Sequence, residues 1–145
     1  MIDEAVLRRL TAGRWLVPLM AHLGEADGSR FAIMLHRLGL SRSVLTASLA
    51  QLIEAGWVAR NPGHGHPLRP EYLLTDRGRP VADWGRTIVD EQQRLGIAPR
   101  TLGRWSLPVL ARLREEPMRF SALQRSLVPV TPRALSLELT GLRTA

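Results

Sequence analysis

The sequence contains no cysteine and no lysine, and it has no long apolar run. Without cysteine the chain cannot form disulfides, sense oxidants through a thiol or bind zinc through thiolates. Because no run of ~18 apolar residues is present, no segment is expected to span a membrane. The first four residues include two acids and lead into no basic stretch, which is unlike a secretory signal. The expected location is therefore cytoplasmic.

The charge of the chain is one-sided, since 20 arginines outnumber 13 acidic residues and give a formal net charge of +7. A basic protein attracts polyanions, of which nucleic acid is the commonest. A basic surface without a partner explains the charge equally well, so charge alone does not decide the function. With 45% hydrophobic residues and a length of 145, the chain is long enough for one ordinary globular domain or two small ones.

A pattern from the N-terminal part of the chain recurs in the same order in the C-terminal part. Gly13-Arg14-Trp15 returns as Gly103-Arg104-Trp105, and Arg30-Phe31 returns as Arg119-Phe120. Leucines 45, 49 and 52 match leucines 135, 139 and 142. A repeat of this size predicts two copies of one fold. The predicted division is a complete domain at 1–80, a linking helix at 81–99, and a truncated second copy without a wing at 100–145.

The first copy contains the pattern of a helix-turn-helix. Helices are predicted over residues 3–10, 15–23, 30–38 and 42–55, with a loop at 24–29. Between the last two helices, Gly39 can adopt positive φ and Ser41 can cap the next helix through its hydroxyl. Leu45, Leu49, Leu52 and Ile53 form the apolar stripe of the helix at 42–55.

The opposite face of this helix is small and polar, with a basic residue in its first turn. Its candidate DNA-contacting residues are Arg42, Ser43, Thr46 and Ala47. Such a face can approach base edges closely and bond to bases or phosphates. In an isolated helix an ordinary solvated face would explain the pattern better, but the short glycine-containing turn before it favours a DNA-binding motif.

The residues after this helix predict a β-hairpin wing. Strands are predicted at 57–60 and 71–75, and the segment between them is rich in proline, glycine and histidine. Its candidate residues for the phosphate backbone or the minor groove are Arg60, His64, His66 and Arg69. The two histidines could also be half of a metal site, but no third ligand is near them in sequence, so no metal is predicted.

Two further segments are candidates for a dimer or ligand surface. In the linking helix, Trp84, Ile88 and Leu95 recur at helical spacing, and this stripe either pairs two chains or packs on its own domain. In the second copy, Leu137 stands where the first copy has Ala47, and Glu138 places a negative charge beside it. This helix is therefore predicted to read DNA poorly, and its face to be buried against the first copy, a second chain or a small molecule.

The chain resembles the HxlR (MarR-like) family of winged helix-turn-helix regulators. The resemblance rests on Gly13-Arg14-Trp15, Arg30-Phe31, residues 40–46, residues 54–58 and residues 67–78. It implies that a dimer binds DNA with the helix at 42–55 in the major groove and the wing beside it. The family's cysteine sensor cannot carry over to a chain without cysteine, and the tandem second copy is a further departure from the family.

The predicted fold is therefore mainly α with a small β wing, a winged helix-turn-helix that is duplicated. The predicted function is sequence-specific binding of double-stranded DNA to regulate transcription, by a homodimer, with a small-molecule effector left open. The chain contains no phosphate-binding glycine loop, nucleophile elbow or paired catalytic carboxylates, so neither enzyme activity nor a cofactor is predicted. The alternative is a winged-helix module that binds a protein or a small molecule and has lost DNA binding.

Overall fold

The structure is a computed structural model that describes residues 4–61, 70–97 and 103–144. These residues form eight helices and three strands. In chain order they are α1 (Glu4–Leu10), α2 (Leu16–Ala26), β1 (Ser29–Arg30), α3 (Phe31–Leu38), α4 (Arg42–Glu54), β2 (Val58–Asn61), β3 (Glu71–Leu74), α5 (Gly78–Leu95), α6 (Ser106–Glu115), α7 (Phe120–Ser126) and α8 (Pro132–Thr144). Within the described ranges, no helix combines the length and the hydropathy that a membrane span requires.

Helix α2 lies at the centre of the larger hydrophobic core. Its side chains Leu16, Leu19, Met20 and Leu23 are all buried, as their helical spacing predicts. The helix continues to Ala26, so the predicted loop at 24–29 is wrong for its first residues. Gly24 lets α5 pack closely against α2, because a Cβ there would lie 3.0 Å from the Cβ of Ala82.

A small antiparallel sheet follows the helical core, with strand order β1-β3-β2. Strands β2 and β3 pair Val58 with Leu74 and Arg60 with Tyr72, and both lie within one residue of the predicted strands. Strand β1 is an addition to the prediction, because Ser29 pairs with Tyr72 on the other edge of β3. The sheet therefore ties the wing to the segment that precedes α3.

Helices α3 and α4 and the turn between them form the predicted helix-turn-helix. Gly39 ends α3 with φ 63°, and the Ser41 hydroxyl accepts a 3.3 Å hydrogen bond from the Val44 amide. Both predicted capping roles are confirmed. Ile53, predicted to belong to the apolar stripe of α4, is 41% exposed. The buried face includes Ser48 instead, which rotates its centre away from position 53.

Helix α5 packs along α2 and does not stand apart as a free linker. Val81, Ala82 and Gly85 are buried, and Trp84 and Ile88 are half-buried against the larger core. Of the two predictions for this stripe, packing on its own domain describes Trp84 and Ile88. The stripe member Leu95 remains 58% exposed.

Helices α6, α7 and α8 enclose a smaller core of their own, made by Val109, Leu123, Leu127, Val130 and Leu135. Their backbone resembles that of α2 to α4 at corresponding places. Before α2 and α6, Trp15 has φ −103° and ψ 1°, and Trp105 has φ −105° and ψ 0°. Before α8, the Thr131 hydroxyl accepts a 3.1 Å hydrogen bond from the Ala134 amide, as Ser41 does before α4.

Helix α6 joins the smaller core to the larger one. Its residues Leu107 and Ala111 pack with the larger core, whereas Val109 is buried in the smaller one. Helix α1 is the neighbour of α6, and Glu4 forms ion pairs with both Arg8 and Arg112. One helix therefore contributes side chains to both cores.

Candidate nucleic-acid interface

The outer face of α4 is the side of the helix opposite its buried leucines. Leu45, Leu49 and Leu52 are buried in the larger core, so the residues on the other side of the helix point away from it. Four exposed side chains on that side are the ones that the sequence predicts for DNA contact: Arg42, Ser43, Thr46 and Ala47. Because they occupy successive turns of one helix, they form a single surface at the N-terminal end of α4.

Arg42 is held beside the turn of the motif. Its guanidinium lies over the ring of Phe31 in α3, with 5.8 Å between its central carbon and the ring centroid, which is within range of a cation–π interaction. In the described parts of the chain Arg42 forms no ion pair. Its positive charge is therefore uncompensated at the place where α4 begins.

The Ser41 hydroxyl supports this surface from the turn. Besides accepting from the Val44 amide, it lies 3.3 Å from the Ser43 hydroxyl. The capping bond satisfies one of the amides that the first turn of a helix leaves without a partner. The first turn of α4, which contains Arg42 and Ser43, is thereby fixed before any ligand binds.

The wing contributes Arg60, which is exposed on β2 and pairs with Tyr72 on β3. The other three predicted wing residues, His64, His66 and Arg69, lie outside the described residues. Near the base of the wing, Arg30 is 3.8 Å from Glu71 across the β1–β3 pair. The sheet thus has basic side chains on both edge strands.

Two exposed basic residues in the last turn of α3, His36 and Arg37, complete this part of the surface and were not among the predicted contacts. A sequence signal existed, because a single residue, Leu38, separates this basic pair from the glycine of the turn. In helix-turn-helix complexes the first helix crosses the DNA backbone, where such residues can meet phosphate.

His22 lies in α2 and has a structural role. Its Nε2 is 3.0 Å from the Ser29 hydroxyl, which joins α2 to β1. The pKa of His22 is lowered, first by burial and then by the charge of Arg37, with Glu25 acting in the opposite direction. The neutral imidazole is therefore favoured, and the positive charge at this end of α3 comes from Arg37.

An open cleft of about 250 Å³ lies beside the C-terminal end of α4, away from the first-turn residues. It is lined by Arg9, Ala12, Leu16, Gln51, Glu54, Ala55 and Trp57. Pockets that bind small molecules typically measure ~300–1,000 Å³ and enclose most of the ligand. The cleft is smaller than that range.

Among the described residues no group of three or more histidine or acidic side chains is arranged to hold a metal ion.

The outer face of α8 is exposed, which contradicts the prediction that it is buried against the first copy. The exposed residues on this face are Pro132, Arg133, Ser136, Leu137 and Thr140. The contact with the first copy is made elsewhere: Leu107 of α6 enters the larger core, and the Thr11 hydroxyl donates to the Arg104 carbonyl at 2.6 Å.

Glu138 also lies differently from the prediction. Its carboxylate accepts a hydrogen bond from the Ser106 hydroxyl, and the nearest heavy atom to a Cβ added at Gly103 is a Glu138 oxygen. The negative charge is thus directed towards the start of α6, because Ser106 and the helix N-terminus there stabilise a carboxylate. It does not lie beside Leu137 on the outer face as predicted.

The remaining predicted surface residues fall into two groups. Trp84 and Ile88 are half-buried against the larger core, whereas Leu95 and Leu137 are 58% and 64% exposed. These four residues therefore do not form one exposed surface, since Trp84 and Ile88 pack against the larger core.

Comparisons with known proteins agree with this geometry. Residues 10–94 match a family model described as "HxlR-like helix-turn-helix". The fold is similar to a solved structure described as "Putative transcriptional regulator ytfH from Salmonella typhimurium", with 26% identity and a TM-score of 0.53. That similarity covers 77% of this chain and 89% of the other. A search of curated proteins finds no match.

Proposed function

Because the chain belongs to the HxlR-like helix-turn-helix family, we propose that it is a transcriptional regulator that reads double-stranded DNA through α4. The observation that carries this proposal is the exposed outer face of α4, where Arg42, Ser43, Thr46 and Ala47 lie together with no acidic residue in the first three turns. The similar solved structure is itself described as a transcriptional regulator, which agrees with the proposal.

In this proposal the N-terminal turns of α4 enter the major groove. The Arg42 guanidinium can donate two hydrogen bonds to a guanine edge or to a phosphate. The hydroxyls of Ser43 and Thr46 can bond to bases or phosphates, and the Ala47 methyl can contact a thymine methyl. On the wing, Arg60 with His64, His66 and Arg69 would follow the phosphate backbone or reach the minor groove.

We further propose that α6–α8 is a second copy of the helices α2–α4, so that the chain divides into 1–80, 81–99 and 100–145. The ordered sequence matches and the corresponding cap geometries before the helices support this division.

We also propose that the regulator acts as a homodimer, because an isologous dimer suits a near-palindromic site. Leu95, exposed at the end of α5, supports that part of the proposal.

The test is fluorescence anisotropy with labelled duplexes from the upstream region of the gene and with scrambled duplexes of the same composition. The unmodified protein should prefer the upstream duplex, and its affinity should fall as salt rises, because arginine contacts release condensed counterions. Arg42→Ala should weaken binding to the upstream duplex by roughly 1–3 kcal/mol.

The control for this test is Arg86→Ala, which removes an exposed arginine from α5 and leaves α4 intact. It should bind the upstream duplex nearly as well as the unmodified protein. Equal affinity for both duplexes, or an Arg42→Ala protein with unchanged affinity, would exclude sequence reading by α4.

A further inference from the structure

Helices α7 and α8 and the turn between them form a second helix-turn-helix with an open outer surface. The turn is closed by hydrogen bonds from the Val130 amide to the Leu127 carbonyl at 2.9 Å and from the Ala134 amide to the Thr131 hydroxyl at 3.1 Å. Leu123, Leu127 and Leu135 are buried and lock the two helices together. The motif is therefore rigid without the help of a partner.

The charge on this motif is almost entirely positive. Arg119 precedes α7, Arg125 lies in its last turn and Arg133 lies in the first turn of α8, and all three are exposed. In the described parts of the chain none of the three takes part in an ion pair. The single acidic residue of α7 and α8 is Glu138, which bonds to the Ser106 hydroxyl. Nothing acidic on these helices therefore opposes the approach of a phosphate.

The rest of the chain contacts this second helix-turn-helix and leaves the outer face of α8 exposed. The contact between the two parts runs through α1 and α6 and reaches the turn between α7 and α8. Arg8 of α1 donates to the Val128 carbonyl in that turn at 2.8 Å and lies over the Trp105 ring at 5.4 Å. Leu107 of α6 is buried in the larger core. The outer face of α8 stays exposed in this arrangement.

We propose that the outer surface of α7 and α8, carried by Arg119, Arg125 and Arg133, is a second binding surface for double-stranded DNA. This surface binds the phosphate backbone of the DNA and does not discriminate between base sequences. Arginines at the ends of the first helix and the start of the second are placed where this motif meets phosphates. The inference rests on the proposed function only in that both surfaces bind duplex DNA.

Leu137 explains why this surface contributes affinity more than selectivity. It is 64% exposed at the place where the α4 face has Ala47, and it offers no hydrogen bond to a base. Its apolar side chain can at most contact a thymine methyl. Because both surfaces belong to one chain, binding of DNA phosphates by α7 and α8 raises the local concentration of DNA near α4.

The experiment compares three charge-removing double variants of the full chain, and a lysine version of one of them, with the unmodified protein. Arg42→Ala/Arg60→Ala alters the α4 and wing surface, and Arg119→Gln/Arg133→Gln alters the α7–α8 surface. Arg86→Gln/Arg94→Gln removes the same charge from exposed positions of α5 and serves as the control. Affinity for upstream and scrambled duplexes is measured by anisotropy at several salt concentrations, after circular dichroism has confirmed that each variant folds.

The α7–α8 variant should bind both duplexes more weakly and keep the preference for the upstream one. The slope of log affinity against log salt should fall in magnitude by about 1–2, since each lost phosphate contact removes about 0.9. Arg119→Lys/Arg133→Lys should restore the slope, because lysine also neutralises phosphate. The Arg42→Ala/Arg60→Ala variant should lose the preference and retain salt-dependent binding to both duplexes.

A slope equal to that of the α5 control would overturn the inference and leave the Leu137 face to a protein partner. If the slope falls as expected but the unmodified protein shows no preference for the upstream duplex, the inference stands and the proposed reading by α4 fails. If the unmodified protein binds neither duplex at low salt, both proposals fail.

Discussion

At the scale of single residues, Gly78 and Gly141 show how differently two helical glycines are constrained. A Cβ at Gly78, the first residue of α5, would overlap the Trp57 carbonyl oxygen, which already accepts a 3.0 Å hydrogen bond from the Thr75 amide. A Cβ at Gly141 in α8 would meet nothing within 4 Å. Glycine at position 78 is therefore required by packing, whereas glycine at position 141 costs helix stability without a packing reason.

Gly78→Ala should lower the free energy of unfolding by at least ~1–3 kcal/mol, because backbone atoms must move to relieve the overlap. Gly141→Ala should raise it by about 0.5–1 kcal/mol, since alanine loses less entropy in a helix. Urea denaturation followed by circular dichroism measures both. A Gly78→Ala protein as stable as the unmodified one would show that α5 does not approach the Trp57 backbone this closely.

His22 should make stability depend on pH in the mildly acidic range. Its pKa in the folded protein is lowered from the ordinary 6.5 by burial and by Arg37, whereas the unfolded chain keeps the ordinary value. The unfolded state therefore binds more protons between the two values. Its contribution is fully present above about pH 6.5 and is lost as the pH falls towards the folded pKa.

The measurement is the free energy of unfolding at several pH values between about 7.5 and 5. His22→Gln should flatten the decline, because it removes the titrating group and keeps a side chain that can bond to Ser29. His36→Gln, which changes an exposed histidine of α3, is the matched control and should preserve the decline. If both variants decline alike, His22 does not account for the pH dependence.

At the scale of elements, α6 is the helix that packs into both hydrophobic cores. Its residue Leu107 is buried with the larger core, Val109 two positions later is buried in the smaller core, and Leu110 is 44% exposed. A helix that is apolar on more than one side must be covered by more than one neighbour. The docking of α6 on α1 therefore depends on Leu107 and is nearly independent of Leu110.

Leu107→Ala should lower the free energy of unfolding by ~2–5 kcal/mol, the usual cost of truncating a buried leucine and leaving a cavity. Leu110→Ala, the same substitution three residues further along the helix, should change it by at most about 0.5 kcal/mol. Thermal and urea denaturation of the two proteins give the comparison. Equal costs would mean that α6 is not docked through the face that contains Leu107.

At the scale of the whole molecule, two hydrophobic cores share α6 and a polar junction. The junction includes the Glu4 ion pairs with Arg8 and Arg112 and the hydrogen bond from Thr11 to Arg104. Breaking either core removes the support for α6 in the other. The two parts are therefore expected to unfold together and not one after the other.

The unfolding transition seen by tryptophan fluorescence should coincide with that seen by circular dichroism. Trp15, Trp57 and Trp84 lie in or against the larger core and dominate the fluorescence, whereas circular dichroism also detects α6, α7 and α8. A loss of helix signal at lower urea than the fluorescence change would show that the smaller core unfolds independently.

The local features of the fold could be predicted from the sequence, because they depend on residues only a few positions apart. The spacing of Leu45, Leu49 and Leu52 sets which face of α4 is buried, and therefore which side exposes Arg42 and Thr46. Gly39 and Ser41 end one helix and begin the next by rules that act within a single turn. The exposure of Arg42, Ser43, Thr46 and Ala47 was accordingly predictable, whereas that of Ile53 was not.

Only the tertiary structure decided how distant segments meet. Strand β1 is two residues long, too short for a periodic signal, and it exists because Tyr72 and Glu71 are there to pair with it. Glu138 leaves the outer face of α8 because Ser106, far away in sequence, can donate to its carboxylate. Leu107 and Leu110 look alike in the sequence, and only the position of α1 and the larger core determines that one is buried and the other exposed. Such pairings depend on which surfaces the folded chain brings together, and no local pattern specifies that.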